Sequence, residues 1–75
     1  MKLRQLRYLC EIGRQDLKIS GAAKALSTSQ PGISKQIRLL EQELGVLVFK
    51  RKSGRIVGVT EPGMHIIKAA NLLLK

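Results

Sequence analysis

Seventy-five residues carrying a net charge of +9 make one small domain, near the lower limit at which an apolar core stabilises itself unaided. A single cysteine excludes an internal disulfide, and one cysteine with one histidine cannot build a structural zinc site, so no metal and no cofactor is expected. No apolar run approaches membrane-spanning length and no signal peptide is evident, since Leu6 to Ile12 is interrupted by Arg7 and Glu11; the chain reads as cytoplasmic, with a polyanionic partner and no membrane.

The first helix is expected at about Lys2 to Arg14, with Leu3, Leu6, Leu9, Cys10 and Gly13 on one side and Arg4, Arg7, Glu11 and Arg14 on much of the other. Tyr8 and Ile12 widen its apolar arc, which suggests two packing neighbours. Cys10 reads as a small buried apolar residue. The second helix begins at Ile19-Ser20, with Ser20 as N-cap, and its small residues Gly21, Ala22, Ala23 and Ala25 let another helix cross closely.

Ser27-Thr28-Ser29 then breaks the pattern and offers a cap for a third helix, in which Pro31 is tolerated because first-turn amides lack intrahelical acceptors. Two helices joined by so short a turn form a helix-turn-helix, placed at about residues 19–38. In the third helix Ile33, Ile37, Leu40 and Leu44 fall on one stripe. Pro31, Lys35, Arg38 and Gln42 point the other way, with Gln30 and Ser34 on the shoulder, and none of these is acidic. Hydrogen-bonding and cationic side chains displayed from the first turns of a helix suit the DNA major groove.

After Gly45 the period shortens. Val46 to Phe49 and Ile56 to Val59 are strand-forming, and Lys50-Arg51-Lys52-Ser53-Gly54-Arg55 forms a polar tip between them, giving a β-hairpin wing at about 46–59. Four cations without an acid in that tip favour phosphate or minor-groove contact over a merely solvated turn. Thr60 caps a last helix with Glu61 and Pro62 in its first turn. Its apolar residues Ile66, Ile67, Ala69, Ala70, Leu72, Leu73 and Leu74 cover more of the circumference than a small core can bury. This helix is expected to pair with a copy of itself and, lacking a stop signal, to continue into a further region.

Charge is segregated along the chain. No acid lies between Asp16 and Glu41 or between Glu43 and Glu61, and these windows hold Lys18, Lys24, Lys35 and Arg38, then Lys50, Arg51, Lys52 and Arg55. By chemistry, Gln30 is the best base reader, because its amide can donate and accept at an adenine edge, although it could instead cap its own helix. Lys35 suits guanine or phosphate, Arg38 a phosphate, and Ser34 either a base or a phosphate. Glu41, near the inner stripe, is expected to pair with a nearby cation, and His65 to be solvated. Leu39 faces outward.

The order helix, helix-turn-helix, wing, long helix is that of a mainly α winged helix-turn-helix: a three-helix core, a short β-hairpin wing and a C-terminal linker or dimerisation helix. The residues resemble the N-terminal DNA-binding domain of LysR-type transcriptional regulators over essentially the whole chain. The matching positions run from Leu6-Arg7-Tyr8 through Ala22-Ala23-Leu26, Ser29-Gln30-Pro31, Ser34, Ile37 and Leu40-Glu41 to Leu44-Gly45, Phe49, Arg51, Thr60 and Gly63. The opening MKLRQLRY, the block TSQPGISKQ and the sequence VTEPG are most similar to the cysteine-regulon (CysB-like) branch. Two positions depart: Val48 stands where the family usually has leucine, and Ser27 where many helix-turn-helix turns have glycine.

The resemblance implies that Gln30, Pro31, Ser34 and Lys35 approach bases, and that Arg51, Lys52 and Arg55 reach backbone or minor groove. Thr28, Ser29, Arg38 and Ser53 complete the expected double-stranded DNA surface. It divides the chain into a DNA-binding unit (1–59) and a linker helix (60–75) that pairs through Ile66, Ile67, Ala70, Leu73 and Leu74 in a homodimer or higher oligomer. It further implies an effector-binding domain beyond residue 75, sulfur metabolites as its ligands in this branch, and RNA polymerase as a partner of a full-length protein. A non-specific nucleoid or RNA-binding protein would share the charge without needing the Gln30, Ser34, Lys35 face. An enzyme is disfavoured, since the sequence offers no His–carboxylate pairing on a plausible pocket and no glycine-rich phosphate loop after a strand.

Overall fold

In the computed structural model, which describes residues 1–74, the elements run α1 (Leu3–Arg14), α2 (Ile19–Ala25), α3 (Gln30–Leu44), β1 (Phe49–Lys52), β2 (Arg55–Val59) and α4 (Glu61–Leu73). This is a winged helix-turn-helix. Leu6, Leu9, Cys10 and Ile12 of α1 meet Ala22 and Ala23 of α2, Ile33, Ile37 and Leu40 of α3, Val48 and Phe49 at the hairpin, and Ala70 of α4 in one cluster. Leu44, the last residue of the expected stripe, is only half-buried.

The buried face of α1 departs from expectation at its ends. Leu3 is 56% exposed and Gly13 is also exposed, whereas the polar Gln5 is buried. Gln5 tolerates this because both ends of its amide are engaged. Its Oε1 accepts the Lys2 N–H (2.9 Å), and its Nε2 donates to Gln36 Oε1 on α3 (3.3 Å).

Two helix ends share one device. At the end of α1, Asp16 takes a left-handed φ of 54° and the Leu17 N–H donates to Ile12 O at 2.9 Å. At the end of α2, Ser27 has φ 53° and the Thr28 N–H donates to Ala23 O at 3.0 Å. This is the closure that usually employs glycine. Ser27 therefore adopts the glycine-like conformation, and the tight turn between α2 and α3 survives the substitution. The α2 start is corrected: Lys18 is the N-cap, without a side-chain cap bond, and Ser20 is the second helical residue.

α3 opens with Ser29, whose Oγ accepts the Gly32 N–H at 3.1 Å, with Pro31 in the first turn; it closes on Gly45 at φ 73°. The hairpin differs most from its expected bounds. The turn is Ser53-Gly54, with φ of 52° and 78°, the two positive values that a two-residue hairpin loop requires. That short loop draws Lys50, Arg51 and Lys52 out of the tip and into β1, paired as Phe49↔Val59, Lys50↔Gly58, Arg51↔Ile56 and Lys52↔Arg55, with a bulge at Val57. Val46 and Leu47 stay outside the sheet and are exposed, at 38% and 63%.

Thr60 caps α4 as expected, its Oγ1 accepting the Gly63 N–H at 2.9 Å. A Cβ on Gly63 would stand 2.1 Å from Val48 O, so only glycine permits this approach of α4 to the wing root. α4 packs on α1 through a face that includes fully buried Ala70 and half-buried Ile66, Ile67 and Leu74, leaving Leu72 and Leu73 at 64% and 70% exposure. Lys75, the last residue of the expected linker segment, lies outside the described residues.

Candidate nucleic-acid interface

The first turn of α3 is held rigidly by Ser29 and is open on its outer side. Thr28, Ser29, Gln30 and Pro31 are exposed, as are Lys35, Arg38 and Gln42 further along, and Ser34 is half-buried between them. The Ser29 hydroxyl is spent on the cap; Gln30 makes no side-chain hydrogen bond among the described residues, so the alternative that it caps its own helix does not hold. Along this outer face a shallow groove of about 380 Å³ runs between Pro31, Ser34, Lys35, Arg38, Leu39 and Gln42. Leu39 is an apolar residue in its lining, 43% exposed.

A second cleft, of about 600 Å³, joins three elements. Gln30 and Ser34 of α3 face Asp16, Leu17, Lys18, Ile19 and Ser20 from the α1–α2 turn and the start of α2, with Gly54, Arg55 and Ile56 of the wing as the remaining wall. The fold therefore brings Gln30, Ser34 and Arg55 together. It adds Lys18 and Ser20, which local sequence patterns did not assign to the site. Lys18 stood in an acid-free window, and that was the available signal; its position beside α3 depends on the left-handed turn at Asp16 and Leu17, which no sequence pattern announced.

The wing residues divide. Lys52, Ser53 and Arg55 are exposed around the turn. Arg51 is not free: its Nη2 donates to Glu41 Oε1 at 3.3 Å, and its side chain is only 24% exposed. The expected pairing of Glu41 with a cation is thus met by one of the residues assigned to DNA. The residues expected to pair protomers, Ile66, Ile67, Ala70, Leu73 and Leu74, lie apart from both grooves. Ala70 has no exposed surface, so it belongs to the chain's own core and cannot meet a partner; Leu74 also packs on that core.

The positive face is left uncompensated by the placement of the acids. Glu41 is buried and paired, and Glu43 binds the N-terminal ammonium at 2.7 Å. Glu11 is bound by Gln15 Nε2 (2.9 Å) and Arg14 (3.2 Å). Those contacts, the Gln15 amide foremost, hold its carboxyl below the usual range. Glu61 sits in the first turn of α4. Of the chain's five acids Asp16 alone lines either groove. Burial pushes the Cys10 thiol above its ordinary value despite nearby Arg14, as expected for an inert core residue, and His65 is exposed. Among the described residues no three metal-binding side chains gather, and no helix is long and apolar enough to cross a membrane.

Residues 3–64 match the model of the bacterial regulatory helix-turn-helix protein, lysR family. The chain belongs to the LysR family. It is 54% identical over 74 residues to the HTH-type transcriptional regulator CysB of Haemophilus influenzae, covering 99% of this chain and 23% of that protein. It is 47% identical over 75 residues to CysB of Burkholderia cenocepacia, covering all of this chain and 24% of the relative. The regulator cbl of Escherichia coli is 42% identical over 74 residues, 99% of this chain and 23% of its own length. The chain thus spans about a quarter of the length of these LysR-family relatives, all named as transcriptional regulators. Among solved structures, a CbnR_DBD–DNA complex superposes with a TM-score of 0.88 at 34% identity, covering 99% of this chain and 83% of that one. The BenM_DBD/catB site 1 DNA complex gives 0.89 at 38% identity, with coverage of 99% and 77%.

Proposed function

We propose that this chain is the operator-reading domain of a LysR-type transcriptional regulator. It binds double-stranded DNA sequence-specifically as a dimer, with α3 in the major groove and the wing on backbone or minor groove. The observation that carries this reading is the open, unengaged Gln30 on a capped helix end, flanked by Ser34, Lys35 and Arg38 and free of covering protein. The DNA complexes of the CbnR and BenM domains, alike in fold at over 30% identity, support DNA as the partner. A non-specific basic protein would need the cations but would have no use for a neutral amide held at a fixed helix end.

Pairing of two protomers is assigned to α4, through exposed Leu72 and Leu73 with half-buried Ile66 and Ile67 at the edge of the surface. In a full-length protein this helix would lead to an effector-binding domain. The likeness to the CysB proteins favours a sulfur metabolite as effector and RNA polymerase as a further partner, in the cytoplasm.

Selection of duplexes from a random pool tests the reading. The expected result is a two-fold repeated half-site, with centres about 10 base pairs or a multiple apart. Enrichment of no sequence, or equal competition by scrambled duplex, refutes it.

A further inference from the structure

The polar group buried deepest beside the interface is the Glu41 carboxylate, 5% exposed, on the inner side of α3. Burying a carboxylate is unfavourable unless every lone pair finds a donor, and here the donors all belong to the wing. Glu41 Oε2 accepts the N–H of Val48 (2.8 Å) and of Phe49 (3.2 Å), while Oε1 accepts from Arg51 Nη2 (3.3 Å). The other side of the same peptide is also held. The Val48 carbonyl accepts the Thr60 N–H (3.0 Å), and the Thr60 hydroxyl donates its one proton between the Leu47 carbonyl (2.5 Å) and the Val48 carbonyl (3.2 Å), with Gly63 closely packed above. The root of the wing is thus clamped between α3 and the start of α4. Strand pairing begins only at Phe49, so the Val48 amide has Glu41 as its acceptor.

Resting on the proposed DNA reading, we infer that Glu41 and Arg51 are positioning residues for DNA binding: the pair fixes the wing to the recognition helix, and Arg51 makes no phosphate contact of its own. Lys52 and Arg55, exposed beside the Ser53-Gly54 turn, are the cations that the clamp delivers to the duplex. Without the carboxylate charge, as in Glu41→Gln, the Val48 and Phe49 amides keep only a neutral amide oxygen and Arg51 faces a donor where it had an acceptor, so the hairpin loses its fixed angle to α3.

Simple electrostatics predicts the opposite. Removing an acid from a basic DNA-binding protein ordinarily tightens binding, whereas Glu41→Gln is expected to weaken it. When the wing releases one phosphate, the slope of log affinity against log salt falls by about 0.9, and affinity at 0.1 M salt drops about 8-fold. Glu43→Gln, which removes the same charge from an exposed position on α3, serves as the control and should bind as well as the parent or better.

The experiment titrates the parent, Glu41→Gln, Glu43→Gln, Arg51→Met, Arg51→Lys and the Glu41→Gln/Arg51→Met double variant on the selected duplex across a salt series. Circular dichroism establishes that each is folded. The expected results are weaker binding and a lower slope for Glu41→Gln, no further loss in the double variant, and partial recovery with Arg51→Lys. Footprints should lose wing protection while retaining major-groove protection, a split that general unfolding cannot produce. If Glu41→Gln does not fold, Arg51→Met and Arg51→Lys carry the same test on a partly exposed side chain. Binding by Glu41→Gln equal to or tighter than that of Glu43→Gln overturns the inference. So does Arg51→Met lowering the slope by about 0.9 with wing protection intact, the signature of a direct phosphate contact. Absence of sequence preference in the parent would instead defeat the operator-reading proposal itself.

Discussion

Replacing Gln30 with alanine separates recognition from attraction. The side chain is exposed, makes no hydrogen bond among the described residues and lies one residue inside a helix whose cap, Ser29, is untouched. Stability should therefore change by no more than about 0.5 kcal/mol, and melting should be almost unaltered. A bidentate amide contact to a base edge is worth about 1–3 kcal/mol of discrimination, so affinity for the preferred duplex should fall roughly 5- to 140-fold. Affinity for scrambled duplex should stay near the parent value, because phosphate contacts supply that binding. Glutamine carries no charge, so the salt dependence should also be preserved. Fluorescence anisotropy on the two duplexes at several salt concentrations reads all three quantities. Equal losses on both duplexes, or a slope changed by about one, would refute the assignment of Gln30 as a base reader.

Lys52→Ala should do the reverse, weakening preferred and scrambled duplexes alike and lowering the salt slope by about 0.9 in the same titrations. Leu73→Asp, on the most exposed apolar residue of α4, should convert dimers to monomers in sedimentation; an unchanged dimer would move the pairing surface elsewhere. Gly63→Ala should destabilise by about 1–3 kcal/mol or more in chemical denaturation, because its Cβ would meet the Val48 carbonyl at 2.1 Å and backbone cannot swing aside. Cys10, buried and with its thiol shifted upward, should react with a thiol reagent only after denaturation; rapid labelling of the folded protein would contradict its place in the core.

What could be read from the sequence was whatever a local pattern determines. The α3 stripe, the Ser29 and Thr60 caps and the glycine at the end of α3 each follow from residues within one or two turns, and the structure has them in place. Satisfaction of buried polar groups was legible only in part. Glu41 was expected to pair with a cation, but that the cation is Arg51 of the wing was not evident, and nothing local announced that Gln5 is buried opposite Gln36. The wing register shifted for a related reason. The apolar run Val46 to Phe49 reads as a strand, but Val48 gives its amide to Glu41 and pairing starts only at Phe49. Ser27 was the reverse case, a residue whose type left its geometry open until the turn was seen to be closed by Thr28.

The two levels of the interface have different origins, and the acids show this more clearly than the cations. A net charge of +9 spread evenly would attract any nucleic acid from any side. Here Glu11, Glu41 and Glu43 are each bound to a cation, and Glu61 sits at the start of α4, so Lys18, Lys35, Arg38, Lys52 and Arg55 on the face shared by α3, the α1–α2 turn and the wing meet only Asp16. That charge orients the duplex but does not choose among duplexes, because every sequence offers the same phosphates. Beside any guanine contact from Lys35, a choice that leaves the electrostatics untouched must come from groups that are neutral, rigidly presented and without a partner in the free protein. On this face Gln30 meets all three conditions, and half-buried Ser34 stands beside it, which is why a charge-neutral substitution there is expected to change sequence preference while leaving the electrostatics intact.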